Sequence, residues 1–240
     1  MATASSNPCH PDCERAMKAQ EDYDASQSAA LVAAELISCA RLKVKLDTEL
    51  TRYSAQFLVD NACPKKEDGQ RSVLTVKDAL AFALKEGIPK EGLWPPLGCL
   101  VPPPPSSASH IPRVSLKGKV AEANDLVGLV NLLLLHGQPV GGKLHMWSPE
   151  IDSYVNENFQ APPGYESRYV GLRDVIIVAV GMVEEEIVAT VKIWYKKKTA
   201  LIKVSYSEML TFPQCIGDTI QVIGPTKLLV DFCVPFLYIN

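Results

Sequence analysis

The sequence has few of the features that mark a membrane protein or a nucleic-acid-binding protein. Among its 240 residues, 24 Lys and Arg are nearly balanced by 27 Asp and Glu, and 7% are aromatic. The net charge of -3 gives no field that would attract nucleic acid or an anionic membrane. The longest apolar runs, at 126–135 and 175–183, fall short of the roughly 18 to 20 residues that span a bilayer. We therefore expect no nucleic-acid partner and no membrane partner.

The amino terminus also lacks the pattern of a secretory signal. Residues 1–8 contain neither a basic start nor an apolar stretch. This predicts a protein that stays inside the cell, in the cytoplasm or the nucleus. Disulfides are rare in such reducing compartments, so most of the seven cysteines are expected to be buried thiols.

The closest-spaced cysteines allow two interpretations. Cys9 and Cys13 enclose His10 and could offer two thiolates and an imidazole to a metal. A zinc site normally needs a second pair of ligands at a defined distance, and the sequence has no second pair. A loop is therefore the favoured interpretation, and we predict neither a metal nor a cofactor.

The first half of the chain is predicted to be helical. Alanine-rich residues over about 26–44 recur at helical spacing and predict a central, closely packed helix, with Asp24, Ser26 and Ser28 as candidate N-caps. Shorter helices are expected near 54–59, 75–85 and 124–136.

The second half is predicted to be mostly sheet. A proline-rich segment begins at Pro102, and β-branched runs follow it at 142–147, 174–182, 187–196 and 200–206. This order predicts an α+β fold with a helical domain at 1–111 and a mainly antiparallel β domain at 112–240.

Seven segments, in order, resemble the papain-like cysteine peptidases along nearly the whole chain. They are Lys18-Ala-Gln20, Ala29-Ala-Leu-Val-Ala-Ala-Glu35, Ser54-Ala-Gln-Phe-Leu-Val-Asp60 with Cys63, Asp78-Ala-Leu-Ala-Phe82 with Gly87-Ile-Pro89, Leu93-Trp-Pro-Pro-Leu-Gly-Cys99, Gln138-Pro-Val140, and Val178-Ala-Val-Gly181. The resemblance implies a two-domain fold, with a helical domain followed by a barrel-like β domain.

The resemblance also implies a disulfide and a location. Cys63 and Cys99 match the spacing of one disulfide of the family, although two reduced, buried thiols are the alternative. Members of the family are usually vacuolar, lysosomal or secreted, in contrast to the intracellular location that the amino terminus predicts.

The catalytic groups of the family are replaced in this sequence. The chemistry needs a thiolate at a helix N-terminus, an imidazole facing it, an Asn that orients the imidazole and a Gln for the oxyanion. The matching positions hold Ala25 or Ser26 for the thiol, Val175 for the imidazole and Ile193 for the Asn. Gln20 alone is retained.

A serine nucleophile is the alternative use of Ser26. A hydroxyl depends on an adjacent base more than a thiolate does, and the four histidines lie elsewhere in the sequence, so Ser26 is interpreted as a helix cap. The Gly-rich segment of the peptide groove is also replaced, here by Lys65-Lys-Glu-Asp-Gly69.

We therefore expect a papain-like pseudopeptidase that binds or scaffolds a protein or peptide partner in the cleft between the domains. The alternative is a cysteine-type peptidase whose catalytic site is misplaced in this alignment or relocated in the fold.

Overall fold

A computed structural model describes most of the chain. The described residues are 23–64, 72–99, 109–148, 168–195, 198–206, 209–216 and 219–238. Two predicted features, the Cys9–Cys13 loop and the replaced groove segment at 65–69, lie outside these ranges, and so does Gln20.

The long helix α1 spans Ala25–Lys43, within one residue of its predicted bounds. Five of its eleven buried residues are alanines, and Ala29, Ala30 and Ala33 among them are fully buried. Short side chains allow neighbouring elements to approach closely. A Cβ added at Gly141 of the sheet would lie 2.9 Å from Leu36 of α1, so the helix and the sheet are in direct contact there.

Three shorter helices match the predicted ones. The structure has α2 at Ala55–Asn61, α3 at Val76–Glu86 and α4 at Leu126–His136, with a 3₁₀ turn at Glu91–Leu93. Ser54, Thr75 and Asp125 cap α2, α3 and α4 by accepting hydrogen bonds from main-chain N–H groups of the first turn.

The sheet is antiparallel and is formed by six strands in the order β1-β8-β2-β3-β4-β5, while β6 pairs with β7 in a separate hairpin. The strands span β1 Gly118–Ala123, β2 Val140–Ser148, β3 Arg168–Val183, β4 Glu186–Tyr195, β5 Lys198–Ser205, β6 Met209–Ile216, β7 Thr219–Lys227 and β8 Leu229–Leu237. The α+β prediction is thus confirmed, and β2 to β5 correspond to the four predicted strands.

Two hydrophobic clusters organise the molecule. One lies within the sheet and is covered by α4, with Trp147 and Phe232 among its largest buried side chains. The other surrounds α1, α2 and α3 and extends onto the sheet through Ile176 and Cys233. Helix α1 therefore belongs to the helical cluster and also contacts strands β2, β3 and β8 of the sheet. Among the described residues, no helix is long and apolar enough to cross a membrane.

Candidate functional site

Helix α1 begins where the family would carry its nucleophile. Asp24 is the N-cap, because its Oδ1 accepts a hydrogen bond of 2.8 Å from the main-chain N–H of Gln27. Ser26 lies inside the first turn, and its Oγ accepts a hydrogen bond of 3.1 Å from the N–H of Leu74. The interpretation of Ser26 as the helix cap is therefore wrong, because its hydroxyl holds the segment before α3 instead.

The positions matched to the imidazole and the Asn form a buried apolar pair. Val175 on β3 and Ile193 on β4 are cross-strand partners, and both pack in the sheet cluster. The next residue, Ile176, points to the opposite face and packs in the helical cluster. The imidazole of the family faces the start of the helix that carries the nucleophile, whereas Val175 at the matched position is fully buried in the sheet core.

Asp174 is the residue of β3 that reaches toward the start of α1. Its Oδ2 accepts a hydrogen bond of 3.0 Å from the hydroxyl of Tyr23, the residue before the N-cap. The guanidinium of Arg173 lies over the Tyr23 ring, with Cζ at 3.6 Å from the ring centroid. Two side chains from consecutive positions of β3 therefore hold Tyr23 against the sheet.

Burial controls the titration of this pair. It raises the pKa of Asp174 to about 6, although the hydrogen bond from Tyr23 opposes the shift. Burial and the nearby Asp174 charge together raise the pKa of Tyr23 to about 12. The Tyr23 hydroxyl is thus a hydrogen-bond donor at neutral pH.

A cavity of about 370 Å³ lies beside the middle of α1, between this helix and strands β3 and β4. Its apolar side chains include Leu31, Leu50, Tyr53, Ile176 and Trp194, and Asp174 and Ile193 also border it. The cavity therefore contacts both the helical cluster and the sheet.

An ion pair crosses this cavity. Lys192 on β4 lies with Nζ at 2.5 and 2.7 Å from the two carboxylate oxygens of Glu35 on α1. Both side chains remain about one-third exposed, so water reaches the pair. The sequence analysis placed Glu35 in a matched segment, but 157 positions separate it from Lys192, and nothing in the sequence indicated that the two residues meet. The sequence analysis did not identify Tyr23 as a site residue either, because its partner Asp174 lies 151 positions away.

The thiols described near the interface are poorly suited to nucleophilic chemistry. Burial, with a further contribution from Glu35, raises the pKa of Cys39. Burial raises the pKa of Cys233 to about 12. A raised pKa leaves less thiolate at neutral pH, and the thiolate is the reactive form.

The other predicted features have separate locations. Cys63 Sγ lies 3.2 Å from the Val59 carbonyl in the last turn of α2, and its pairing with Cys99 stays a prediction. His145 Nδ1 lies 2.9 Å from the Tyr169 hydroxyl, and burial lowers the His145 pKa. Within the described ranges, no three His, Cys, Asp or Glu side chains are grouped so that they could hold a metal ion.

Solved structures with the same architecture are papain-like. A cysteine protease of Carica candamarcensis superposes with a TM-score of 0.59 at 15% identity, covering 89% of this chain and 90% of its own. Xylellain, a cysteine protease of Xylella fastidiosa, gives a TM-score of 0.56 at 18% identity, covering 87% of this chain and 78% of its own. At such identities the likeness shows the fold, and the predicted papain-like fold is confirmed.

Sequence comparison then identifies the family. The model of the HEAT-INDUCED TAS1 TARGET N-terminal domain matches residues 1–72 and 63–117. Protein HEAT-INDUCED TAS1 TARGET 1 of Arabidopsis thaliana is 43% identical, over 97% of this chain and 95% of its own length. Protein HEAT-INDUCED TAS1 TARGET 4 of the same plant is 47% identical over the same shares. The chain belongs to the HEAT-INDUCED TAS1 TARGET family.

Proposed function

We propose that this protein is a non-catalytic member of the papain-like fold that binds a peptide segment of another protein in the cavity beside α1. The observation that carries the proposal is the contrast between the two parts of the interface. The start of α1, where the chemistry would occur, is joined to the sheet by Tyr23, whereas the middle of the helix borders an open cavity.

The arrangement at the start of α1 supports the absence of catalysis. A nucleophile and its base must lie within hydrogen-bond reach of each other. Here Val175 and Ile193 carry no titratable group and point into the sheet core. The nearest polar side chain on β3, Asp174, already accepts a hydrogen bond from Tyr23.

The cavity has the character of a peptide-binding site. Binding sites are usually concave and mainly apolar, with a few polar groups that orient the ligand. Leu31, Leu50 and Trp194 provide apolar surface, while the partly exposed Glu35–Lys192 pair offers an acceptor and a donor. An extended peptide has both N–H and C=O groups to match them.

A peptide library displayed on phage and selected on the whole protein tests this proposal. The Leu50→Glu variant places a charge at the cavity, where Leu50 is 57% exposed. Val73→Glu is the matched control, because Val73 is 63% exposed and does not border the cavity. Both variants should keep the melting temperature, because both positions are on the surface.

The selected peptides should bind Leu50→Glu at least about tenfold more weakly than the wild type, a loss of about 1.4 kcal/mol. Their affinity for Val73→Glu should be unchanged. Equal binding to Leu50→Glu and the wild type would place the site elsewhere, and a library without enriched sequences would contradict peptide binding.

A further inference from the structure

The outward face of α4 is apolar. Val127, Leu134 and Leu135 are 70%, 76% and 75% exposed, and they lie on the side of the helix opposite to the buried Leu129 and Leu132. The exposed side of a surface helix normally carries polar and charged residues. Between Leu126 and Leu135, α4 has Asn131 as its one polar side chain.

This apolar surface continues across a groove onto β3. The groove, of about 380 Å³, separates α4 from residues 178–180 and is bordered by Leu134 and Val178. Beyond it on the same strand, Met182 is 72% exposed. We call the surface formed by Val127, Leu134, Leu135, Val178 and Met182 the α4–β3 face. Exposed apolar residues gathered beside one groove are typical of an interaction site.

A buried hydrogen-bond acceptor lies at the groove. Gln138 borders the groove, and its Nε2 donates a hydrogen bond of 2.8 Å to the Pro235 carbonyl. Its Oε1 is buried and accepts no hydrogen bond within the part of the chain that the structure describes. A buried acceptor without a donor is unfavourable, so an occupant that brings an N–H or O–H group would be stabilised there.

The tip of the β3–β4 hairpin carries negative charge. Glu184 and Glu185, the two residues of the turn, have φ angles of 48° and 68°. A two-residue turn of this kind favours Asn-Gly, because other residues are strained at positive φ. With Glu186, three consecutive acids follow Met182 and Val183. At the carboxyl end of α4, which borders the groove, Lys43 donates a hydrogen bond to the His136 carbonyl.

We infer that the α4–β3 face docks a basic amphipathic segment of a partner protein. The apolar side chains of the segment occupy the groove, a donor reaches Gln138 Oε1, and Lys or Arg side chains lie against Glu184 and Glu185. Burial of apolar surface supplies the affinity, and charge complementarity supplies the selectivity for a basic segment. An anionic membrane would be repelled by the acidic turn, and a second copy of the chain would bring the same acids. The inference does not depend on the cavity beside α1.

Two synthetic helical peptides of about 18 residues serve as probes, because this length presents several turns of one face. One has Leu on one side and Lys on the other, and its counterpart replaces each Lys by Glu. Fluorescence anisotropy of the labelled peptides measures binding to the whole protein. The Leu/Lys peptide should bind at least tenfold more tightly than the Leu/Glu peptide, and added salt should narrow the difference.

Three variants locate the site. Leu134→Glu should weaken binding of the Leu/Lys peptide at least tenfold, whereas Leu201→Glu, at a β5 position that is 64% exposed, should leave it unchanged. The double variant Glu184→Asn with Glu185→Gly removes two negative charges and relieves the backbone strain of the two turn residues at positive φ. It should therefore weaken binding at least threefold while raising the melting temperature by about 3 °C.

Several results would overturn the inference. Equal affinities of the two peptides would show that the acidic turn takes no part in recognition. Equal effects of Leu134→Glu and Leu201→Glu on binding would show that the α4–β3 face is not the binding site. Sedimentation that shows a dimer dispersed by Leu134→Glu, without peptide binding, would assign the face to a second copy. Preferential binding of the protein to phosphatidylserine vesicles, lost in Leu134→Glu, would assign it to a membrane.

Discussion

The start and the middle of helix α1 meet the same sheet in different ways. At the start, the hydroxyl of Tyr23 donates to the buried carboxyl of Asp174, and Arg173 covers the tyrosine ring. In the middle, the Glu35–Lys192 pair spans a cavity and stays partly exposed to water. The interface is therefore closed by packing at the start of α1 and open beside the middle of the helix.

Under the proposed function, this difference separates the parts of the molecule that maintain the fold from the part that would carry the chemistry. The papain-like arrangement depends on the alanine-rich surface of α1 and on its contacts with the sheet, and both are present. Catalysis depends instead on a few side chains at one helix end. We propose that Ala25 or Ser26, Val175 and Ile193 at those positions leave the packing surfaces unchanged, so that the cavity beside the helix is available for binding.

The largest expected effect comes from placing a charge behind the closed region, in the sheet core. Val175→Asp puts a carboxylate in the sheet core, where neither water nor a partner compensates it, and should cost several kcal/mol of unfolding free energy. Urea unfolding of the wild type and the variant measures the loss. A cost below about 1 kcal/mol would show that Val175 faces the cleft.

A smaller, pH-dependent effect should come from Asp174. Its folded pKa of about 6 lies above its ordinary value of 3.8, so its contribution to stability is fully present below about pH 4 and is lost as pH rises through 6. Asp174→Asn should therefore be more stable than the wild type at pH 7, by about 2 to 3 kcal/mol, and similar to it at pH 4.

Urea unfolding between pH 4 and pH 8 measures this difference. The amide oxygen of Asn can still accept the hydrogen bond from Tyr23, so the variant isolates the charge. A stability difference that is independent of pH would contradict the buried position of Asp174.

The smallest expected effect on stability is in the open region. Glu35 and Lys192 are both about one-third exposed, so Lys192→Met should change the unfolding free energy by less than about 1 kcal/mol. The variant should nevertheless alter the affinity of the peptides selected for the cavity. A loss of several kcal/mol would show that the pair holds the interface together and is closed to ligands.

The sequence was sufficient for the helices and for β2 to β5, because their periodicity is strong and local. It failed for β8, which lies between β1 and β2 although it contains Pro235 and has Asp231 at a φ of 57°. Proline and left-handed residues argue against a strand, and only the pairing with two neighbours overrides that local preference. The strands β1, β6 and β7 were missed as well.

The candidate site was predictable only in part. Counting from matched motifs assigned a residue to each catalytic position of the family, which stays a prediction, but it could not give the direction of each side chain. The register between β3 and β4 shifts between Ile177 and Ala179, and such a shift changes which face a residue occupies. The contact of Tyr23 with Asp174 joins residues 151 positions apart, so local patterns contain no signal for it.

Labelling by an epoxide reagent that alkylates activated cysteines tests the central claim most directly. The native protein, the urea-denatured protein and the Ser26→Cys variant are treated, and the mass of each intact chain is measured. We predict no cysteine labelled stoichiometrically in the native state and no peptide hydrolysis by Ser26→Cys, because Val175 supplies no base. One label per native chain, abolished by denaturation and accompanied by loss of peptide hydrolysis, would contradict the account.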